Sequence, residues 1–100
     1  MKSERFKKLV DQNPNNELFR FSLAQALIDE GEAVEAIEAL DFCLEKKNNW
    51  MMAAILKGKC LISQKRKEDA RPVLEHALKL AIEQHHEAPE AELRKLLDTL

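Results

Sequence analysis

The chain has 100 residues, of which 45% are hydrophobic and 34% are charged, and its formal net charge is −2. This length allows one small domain with a single core. Only two Gly and three Pro occur, and Tyr is absent, so the composition favours helices. No apolar run approaches the ~18 residues that cross a bilayer, and the charged start of the chain has no signal-peptide core after it. We therefore expect an all-α, soluble, cytoplasmic protein without a membrane partner.

Acidic and basic residues are segregated along the chain. Between Asp29 and Glu45 there are seven acids and no base, and between Lys46 and Lys67 there are seven bases and no acid. In a stack of helices, an acidic helix would lie beside a basic one, and each exposed ion pair would contribute about 0.2–1 kcal/mol. The alternative is that these charges are solvated helix faces.

The first two predicted helices flank a turn at Pro14. Ser3 is the predicted N-cap of a helix from Glu4 to Gln12, whose apolar residues recur at helical spacing. Pro14 and the Asn residues around it end this helix, because Pro cannot continue the hydrogen-bond ladder and Asn favours turns. Asn16 is the predicted N-cap of a second helix from Glu17 to Glu30. The apolar residues of this helix cover more than one face, so it needs cover on two sides.

The next two predicted helices repeat this arrangement. Gly31 ends the second helix, in the left-handed conformation that Gly adopts at least cost. The third helix spans Ala33 to Lys47 and the fourth spans Trp50 to Gln64. After the fourth helix, Lys65 stands at the position of Gly31. Because a left-handed Lys costs about 1 kcal/mol, we expect this second turn to be built differently.

The last two predicted helices close the chain. The fifth helix begins near Lys67 and runs to His86, because no helix breaker stands between its first turn and Pro89. Pro72 is predicted to lie in that first turn, where its missing N–H is nearly harmless. The sixth helix spans Pro89 to Thr99 and keeps its Leu side chains on one side. We expect it to cover the exposed end of a helix stack.

The middle of the chain repeats itself with a period of 34 residues. Small and apolar residues of similar size coincide at this shift, at positions where two helices would touch. The coinciding pairs are Ala24 and Gly58, Leu27 and Leu61, Ile28 and Ile62, Ala36 and Ala70, Leu40 and Leu74, Cys43 and Ala77, and Leu44 and Leu78.

Two segments of this repeat resemble the tetratricopeptide repeat (TPR) family. The first carries Arg20-x-x-Leu23-Ala24-x-x-Leu27 followed by Ala36-x-x-x-Leu40, and the second carries Ala54-x-x-Lys57-Gly58-x-x-Leu61 followed by Ala70-x-x-x-Leu74. Both segments are similar to the W-x-x-L-G-x-x-Y and A-x-x-x-F frame of the family, although both lack its Trp and its closing Pro. An ordinary helical bundle, in which Ala and Leu recur by chance, is the rival all-α fold.

The resemblance implies a right-handed superhelix of stacked antiparallel helix pairs, with about six helices in this chain. It divides the single domain, residues 1–100, into four parts. These are an N-terminal helix at residues 3–14, a first repeat at 17–50, a second repeat at 51–84 and a C-terminal capping helix at 85–100.

The resemblance also implies a function without catalysis. The first helix of each TPR pair lines a groove that binds a peptide or a partner helix, so the chain is expected to be a protein-interaction scaffold. By position in the repeat, the expected groove residues are Leu18, Phe21, Gln25, Ile28 and Asp29 from the first repeat and Met52, Ile55, Lys59, Ile62 and Ser63 from the second.

Most of this expected lining is apolar, which favours an apolar helix or a second copy of the chain as the partner. Binders of chaperone tails in the family use Lys and Asn where this chain has Phe21, Gln25 and Leu56, which disfavours a carboxylate clamp. Alternatively, the flanking helices fold back and bury the groove residues. Trp50 is either a partner anchor or a packing residue in the turn between the repeats. A homodimer would cover the apolar ends of so short an array.

No motif in the sequence points to an enzyme, a cofactor or a metal. His85 and His86 are adjacent and lie roughly 100° apart around a helix, so they cannot chelate one ion from one face. His76 has no ligand spacing to either Cys. Cys43 and Cys60 stand on apolar helix faces, which predicts buried reduced thiols rather than a disulfide.

Nucleic acid, or an acidic partner, is the alternative ligand. The stretch from Lys57 to Lys67 gathers five bases. However, the whole chain is acidic and its few aromatic residues show no stacking pattern, so we expect nucleic-acid binding to be the less favoured function.

Overall fold

The computed structural model describes residues 1–100 and contains six α-helices and no strand. The helices are α1 (Lys2–Gln12), α2 (Glu17–Asp29), α3 (Ala33–Lys46), α4 (Met51–Ser63), α5 (Lys67–Glu83) and α6 (Glu87–Asp98). Each helix packs against the next one along the chain, and the contacts are most extensive within the pairs α2–α3 and α4–α5. The predicted all-α, TPR-like fold is confirmed. No helix has the length and apolar character needed to span a membrane.

The core lies along the contacts between successive helices, at the positions that the 34-residue shift predicts. Ala24, Ala36 and Ala70 are completely buried, and so are Leu40 and Leu74. Small residues at these positions let the helix backbones approach closely.

Gly58 marks the closest approach within the pair α4–α5. A Cβ atom added to Gly58 would lie 2.6 Å from Cγ of Leu74, which is closer than real Cβ atoms come to other heavy atoms. Leu74 has no exposed surface into which it could withdraw. The absence of a side chain at Gly58 therefore sets the spacing of these two helices.

Turns of two kinds join the helices. Four-residue turns at 13–16 and 47–50 are closed by backbone hydrogen bonds from Asn16 to Asn13 (3.0 Å) and from Trp50 to Lys47 (3.1 Å). Asn16 also caps α2, as predicted, because its side-chain oxygen accepts hydrogen bonds from the backbone N–H groups of Leu18 and Phe19. The two joints between a second helix and the following first helix thus share the same backbone turn, although Trp50 does not cap α4 with its side chain.

The other three turns use left-handed residues. Gly31, Lys65 and His85 have φ values of +78°, +60° and +59°. In each turn, two backbone N–H groups bond back to the last turn of the preceding helix, which satisfies carbonyl groups that the helix end leaves free. The expectation of a different turn at Lys65 is therefore wrong, because the hydrogen bonds gained offset the cost of a left-handed Lys.

Three local predictions also need correction. Ser3 does not cap α1, which begins at Lys2; its hydroxyl donates instead to the carboxylate of Glu30 at 2.6 Å. The fifth helix ends at Glu83 rather than His86, because left-handed His85 closes the turn. Pro72 is the sixth residue of α5, so it lies in the second turn, where the carbonyl of Glu68 loses its ladder partner. Glu68 and Pro72 are both exposed, so water can bond to the free carbonyl group and the cost of the lost hydrogen bond is small.

Side chains from α5 and from its C-terminal cap residue bond to the turn between the two repeats. Nε2 of His76 lies 2.8 Å from the carbonyl oxygen of Asn48, so this ring nitrogen carries the proton that is donated. Nε2 of Gln84 donates to the carbonyl oxygen of Asn49 at 3.1 Å. These bonds give His76 a structural role in joining the repeats.

Candidate binding groove

A groove lies between α2 and α4 and consists of two clefts. The larger cleft, which we call the N-cleft, has a volume of about 490 Å³ and is lined by residues from α1, α2 and α4. Its lining residues are Lys2, Arg5, Phe6, Ser22, Gln25, Ala26, Ile28, Asp29 and Leu56.

The smaller cleft, which we call the C-cleft, has a volume of about 410 Å³. Its lining residues are Ile28, Gly31, Ala33, Leu56, Lys59, Cys60, Ser63 and Gln64. Ile28 and Leu56 line both clefts, so the two clefts form one continuous groove with a shared apolar wall.

Half of the predicted groove residues line these clefts. Gln25, Ile28 and Asp29 lie along the N-cleft, and Lys59 and Ser63 lie along the C-cleft, with Ile28 common to both. The clefts thus lie along the helices that the sequence predicts to line the groove, and these five residues stay predictions of ligand contacts.

Three other predicted residues, Leu18, Met52 and Ile62, lie outside the clefts. Leu18 is 61% exposed and borders the turn before α2, and Met52 is 43% exposed at the matching position of α4. Ile62 is partly buried against the core. Leu18 and Met52 stand four residues before the lining residues Ser22 and Leu56, so they continue the same helix faces beyond the clefts.

Ile55 is a core residue, which corrects the prediction that it lines the groove. Only 5% of its surface is exposed. Successive residues point about 100° apart around a helix, so Ile55 faces the interior when its neighbour Leu56 faces the groove. The lining stripe is therefore Ser22, Gln25 and Asp29 in α2 and the matching Leu56, Lys59 and Ser63 in α4.

This stripe has a signal in the sequence that could have identified it. Its residues recur at spacings of three and four, and each α2 member stands 34 residues before its α4 counterpart. The contribution of α1 has no such signal within the repeats, because α1 belongs to neither of them.

Trp50 packs against Phe21 rather than standing free. Their rings are stacked, with centroids 4.8 Å apart and planes inclined by 22°. Both residues are partly buried against the core, and Nζ of Lys47 lies 5.7 Å from the centre of the Trp50 ring. Of the two roles considered for Trp50, the structure therefore favours packing at the joint between the repeats.

The charges of the groove are unevenly paired. Lys59 in the C-cleft forms an ion pair with Glu92 of α6 at 2.6 Å. In the N-cleft, Lys2, Arg5 and Asp29 form no ion pair. The N-cleft therefore presents two free cations and one free carboxylate to a ligand.

The basic stretch from Lys57 to Lys67 does not form one surface. Lys57 bonds to Asp41 of the acidic helix α3 at 2.6 Å, which places one opposite-charge contact between the repeats. Lys59 points to α6, as described above, and Arg66 pairs with Asp69 in its own turn. Only Lys65 and Lys67 of the five remain unpaired.

The end of the groove at α1 is anchored by Glu30. Its carboxylate accepts hydrogen bonds from the hydroxyl and the backbone N–H of Ser3, at 2.6 and 3.0 Å. These bonds, the hydroxyl first, lower the pKa of Glu30 below its usual range. They hold α1 in the position where Lys2 and Arg5 line the N-cleft.

The potential metal ligands and the two thiols form no metal-binding cluster and no disulfide. No group of three or more His, Cys, Asp or Glu side chains could hold a metal ion. Cys43 and Cys60 are both free and buried. Burial raises the pKa of the Cys43 thiol to about 11 and raises that of Cys60, so neither thiol is a ready nucleophile at neutral pH.

The sequence matches the family model described as anaphase-promoting complex, cyclosome, subunit 3, over residues 3–77. The chain belongs to this TPR family. The match covers α1 from Ser3, the helices α2 to α4, α5 as far as Ala77, and every residue that lines the two clefts except Lys2. A search of curated proteins finds no sequence that matches.

Solved structures share this fold. A protein from Bordetella parapertussis superposes with a TM-score of 0.84 and 24% identity, covering 99% of this chain and 86% of that one. The TPR2B domain of yeast Sti1, solved as a pHsp70 complex, superposes with a TM-score of 0.84 and 22% identity, covering 95% of this chain and 76% of that one. The first TPR of Spaghetti (RPAP3), bound to the HSP90 peptide SRMEEVD, superposes with a TM-score of 0.80 and 20% identity, covering 97% of this chain and 75% of that one.

Proposed function

We propose that this protein is a non-catalytic interaction scaffold that binds a helix or peptide of a partner protein in the groove between α2 and α4. The observation that carries this proposal is the continuity of the two clefts through the shared wall of Ile28 and Leu56. Concave sites with apolar walls and a few polar groups are where ligands bind. Some structural neighbours were solved with chaperone peptides, which supports a peptide-like ligand.

The ligand proposed here differs from an acidic chaperone tail. Gln25 and Leu56 line the N-cleft. Together with Phe21, they stand where the family's chaperone-tail binders use Lys and Asn. Their side chains provide no positive charge for a terminal carboxylate, and Leu56 is apolar. A ligand with an apolar face fits this wall better.

A substitution in the shared wall tests the groove. Leu56→Glu places a charge between the two clefts, whereas Val34→Glu makes the same kind of change at a residue that is 60% exposed and lines neither cleft. Proteins that co-purify with the tagged wild-type chain and with Val34→Glu should be absent from Leu56→Glu when compared by mass spectrometry. Circular dichroism should show equal helicity for the three chains. Partners retained by a folded Leu56→Glu would contradict groove binding.

A direct probe tests the ligand class. The peptide SRMEEVD, labelled with a fluorophore, should show no saturable anisotropy change with this chain up to about 1 mM, a limit that corresponds to weak binding. Binding in the micromolar range would show that the groove accepts an acidic tail and would overturn the preference for an apolar ligand.

A second copy of the chain is a second candidate partner. Leu18 and Met52 occupy matching positions near the starts of α2 and α4 and are 61% and 43% exposed. Light scattering at two concentrations tests self-association. A dimer that is lost in the variant Leu18→Ser/Met52→Ser would support this candidate, and a monomer at high concentration would exclude it.

Nucleic-acid binding is less favoured, because ion pairs direct Lys57 and Lys59 towards different helices. The remaining bases of the stretch offer little of the continuous positive surface that a phosphate backbone requires.

A further inference from the structure

The cations of the two clefts differ in whether they are paired. Lys2 and Arg5 line the N-cleft and form no ion pair, so both can meet a ligand. Lys59 is the only charged residue that lines the C-cleft, and its Nζ lies 2.6 Å from Oε1 of Glu92. Glu92 itself lines neither cleft. A carboxylate from outside the groove therefore neutralises the single charge of the C-cleft.

Glu92 differs in this respect from the other acidic residues of α6. Glu90 pairs with Arg94 of its own helix at 3.1 Å, and Glu87 and Asp98 form no ion pair. Only Glu92 pairs with another helix, and the residue that it reaches is the cation of the C-cleft.

The ion pair is not what holds α6 in place. Leu93, the next residue of α6, is 1% exposed and belongs to the core, and α6 packs along α5. By contrast, the side chains of Lys59 and Glu92 are 48% and 56% exposed. An exposed pair contributes little to stability, because water and salt screen the attraction. Glu92 can therefore release Lys59 while α6 stays docked.

A carboxylate of a ligand would compete with Glu92 for the same ammonium group. After displacement, Glu92 would remain near enough to repel the incoming charge. An uncharged side chain meets no such competitor, and the apolar wall of Ile28 and Leu56 extends into the C-cleft. The contact thus disfavours one class of ligand, which is a common source of specificity.

We propose that Glu92 determines the specificity of the C-cleft by occupying Lys59, so that the groove binds a partner segment with apolar residues in the C-cleft and acidic residues only at the N-cleft. This inference rests on the proposed function and names the class and the orientation of the ligand. Glu92 acts through Lys59 and does not itself contact the ligand. At the other end, two free cations and one free carboxylate favour an acidic segment.

Another protein supplies this segment. The acidic helix of the chain itself, α6, has Leu93 in the core and packs Leu96 and Leu97 against it. A second copy would have to undock α6 before it could present these leucines to the groove.

A library of displayed random peptides tests the charge preference without a known ligand. Peptides of about 12 residues reach roughly 40 Å when extended, which matches the longest dimension of the chain, 39 Å. The library is selected against the full wild-type chain, Glu92→Gln and Glu90→Gln, and peptides that also bind Leu56→Glu are discarded. Glu90→Gln is the matched control, because it removes the same charge from α6 but frees Arg94, which lines neither cleft. Circular dichroism should show equal helicity for all chains.

The charge pattern of the selected peptides is the first result. With the wild type and Glu90→Gln, acidic residues should occur at one end of the peptides, whereas with Glu92→Gln they should occur at both ends. Each uncharged residue of the tightest wild-type peptide is then replaced by Glu, and the affinities are measured by fluorescence anisotropy. At the position that enters the C-cleft, this replacement should weaken binding to the wild type about fivefold more than binding to Glu92→Gln.

A charge exchange tests whether Glu92 acts by masking Lys59. The double variant Lys59→Glu/Glu92→Lys reverses the ion pair and leaves the C-cleft neutral, so it should again select uncharged residues at this end. Lys59→Glu alone places two carboxylates together and should select basic residues there. A folded double variant that keeps the preference of Lys59→Glu would overturn the proposal.

The orientation is tested on α1. Arg5→Glu should weaken binding of the wild-type peptide by about tenfold, since it removes one attraction and adds one repulsion. Lys8→Glu changes the same charge on the same helix, at an exposed residue that lines neither cleft, and should leave the affinity unchanged. Equal affinities of the wild type and Arg5→Glu would show that the acidic end does not bind at the N-cleft.

The outcomes separate this inference from the proposed function. If no selected peptide depends on Leu56, the proposed function fails and the inference fails with it. If groove-dependent peptides are found, but no position distinguishes the wild type from Glu92→Gln, the groove binds ligands and the inference about Glu92 is wrong. A wild-type dimer that is lost in Leu56→Glu, detected by light scattering, would show that a second copy fills the groove and would also overturn the inference.

Discussion

The two repeats have the same pair of helices but carry different side chains at equivalent positions, 34 residues apart. The first repeat has Ala24 at the contact between its helices, and the second has Gly58 there, pressed against Leu74. Both contacts are buried. The comparison teaches that the register fixes which residues meet, whereas the size of each residue sets how closely a given pair of helices approaches. Exchanging matched residues between the repeats therefore tests each contact against an internal control.

The largest effect is expected from the buried leucines of the two pairs. Leu40→Ala and Leu74→Ala each remove a fully buried side chain and should lower the free energy of unfolding by about 2–5 kcal/mol. Urea unfolding followed by circular dichroism should show one transition for each variant, because the helices share one core. Two separate transitions would show that the repeats unfold independently, which would contradict a single core shared by both repeats.

The contact residues themselves come next. Gly58→Ala should destabilise the chain by about 1–2 kcal/mol, because the new methyl group must displace Leu74, and this cost exceeds the gain in helix propensity. The same urea measurement checks it. A variant as stable as the wild type would mean that α4 and α5 can separate enough to accommodate the new methyl group without cost. The double variant Gly58→Ala/Leu74→Ala should be less destabilised than the sum of the single variants.

The left-handed turns are expected to give a smaller effect on stability. Gly31→Lys should destabilise the first repeat by about 1 kcal/mol, since no atom lies near enough to the new side chain to clash and only backbone strain is added. Lys65→Gly should change stability by less than about 1 kcal/mol, because relief of strain is offset by the greater freedom of Gly in the unfolded chain. Equal effects of both substitutions would show that the turns differ in more than their residue type.

The smallest effect concerns Glu30, which matches Gln64 in the second repeat. Because the bonds from Ser3 lower the pKa of Glu30 in the folded state, they stabilise the fold above the usual Glu pKa of about 4.3, and this contribution is lost as pH falls through the lowered value. Glu30→Gln should therefore show a shallower loss of melting temperature between neutral pH and pH values below that pKa. Titration of Glu30 by NMR should give a higher pKa in Ser3→Ala than in the wild type, because the hydroxyl bond is lost while the backbone N–H bond remains. An unchanged pKa in that variant would contradict the role of Ser3.

The repeat period made the inner contacts predictable. A shift of 34 residues identifies Ala36 and Leu40 with Ala70 and Leu74, and all four are buried as expected. The cap at Asn16 also follows from local sequence, because an Asn side chain satisfies the free N–H groups at a helix start.

Other features depend on contacts that no local pattern reveals. Ser3 resembles a helix cap, but its hydroxyl finds Glu30, 27 residues away, which only the docking of α1 on α2 brings near. Lys65 accepts a left-handed conformation because the backbone bonds of the turn compensate for it. The groove was misplaced by one residue at Ile55, since more than one face of α4 is apolar and the sequence does not decide which face points outward.

The hydrogen bonds around the joint between the repeats also have a mechanical consequence. The side chains of His76 and Gln84 form hydrogen bonds with the backbone carbonyl groups of Asn48 and Asn49, which lie 28 and 35 residues earlier in the chain. We therefore expect tension applied to α3 to reach α5 through these bonds as well as through α4. Under a pull, the two repeats should then respond together rather than one after the other.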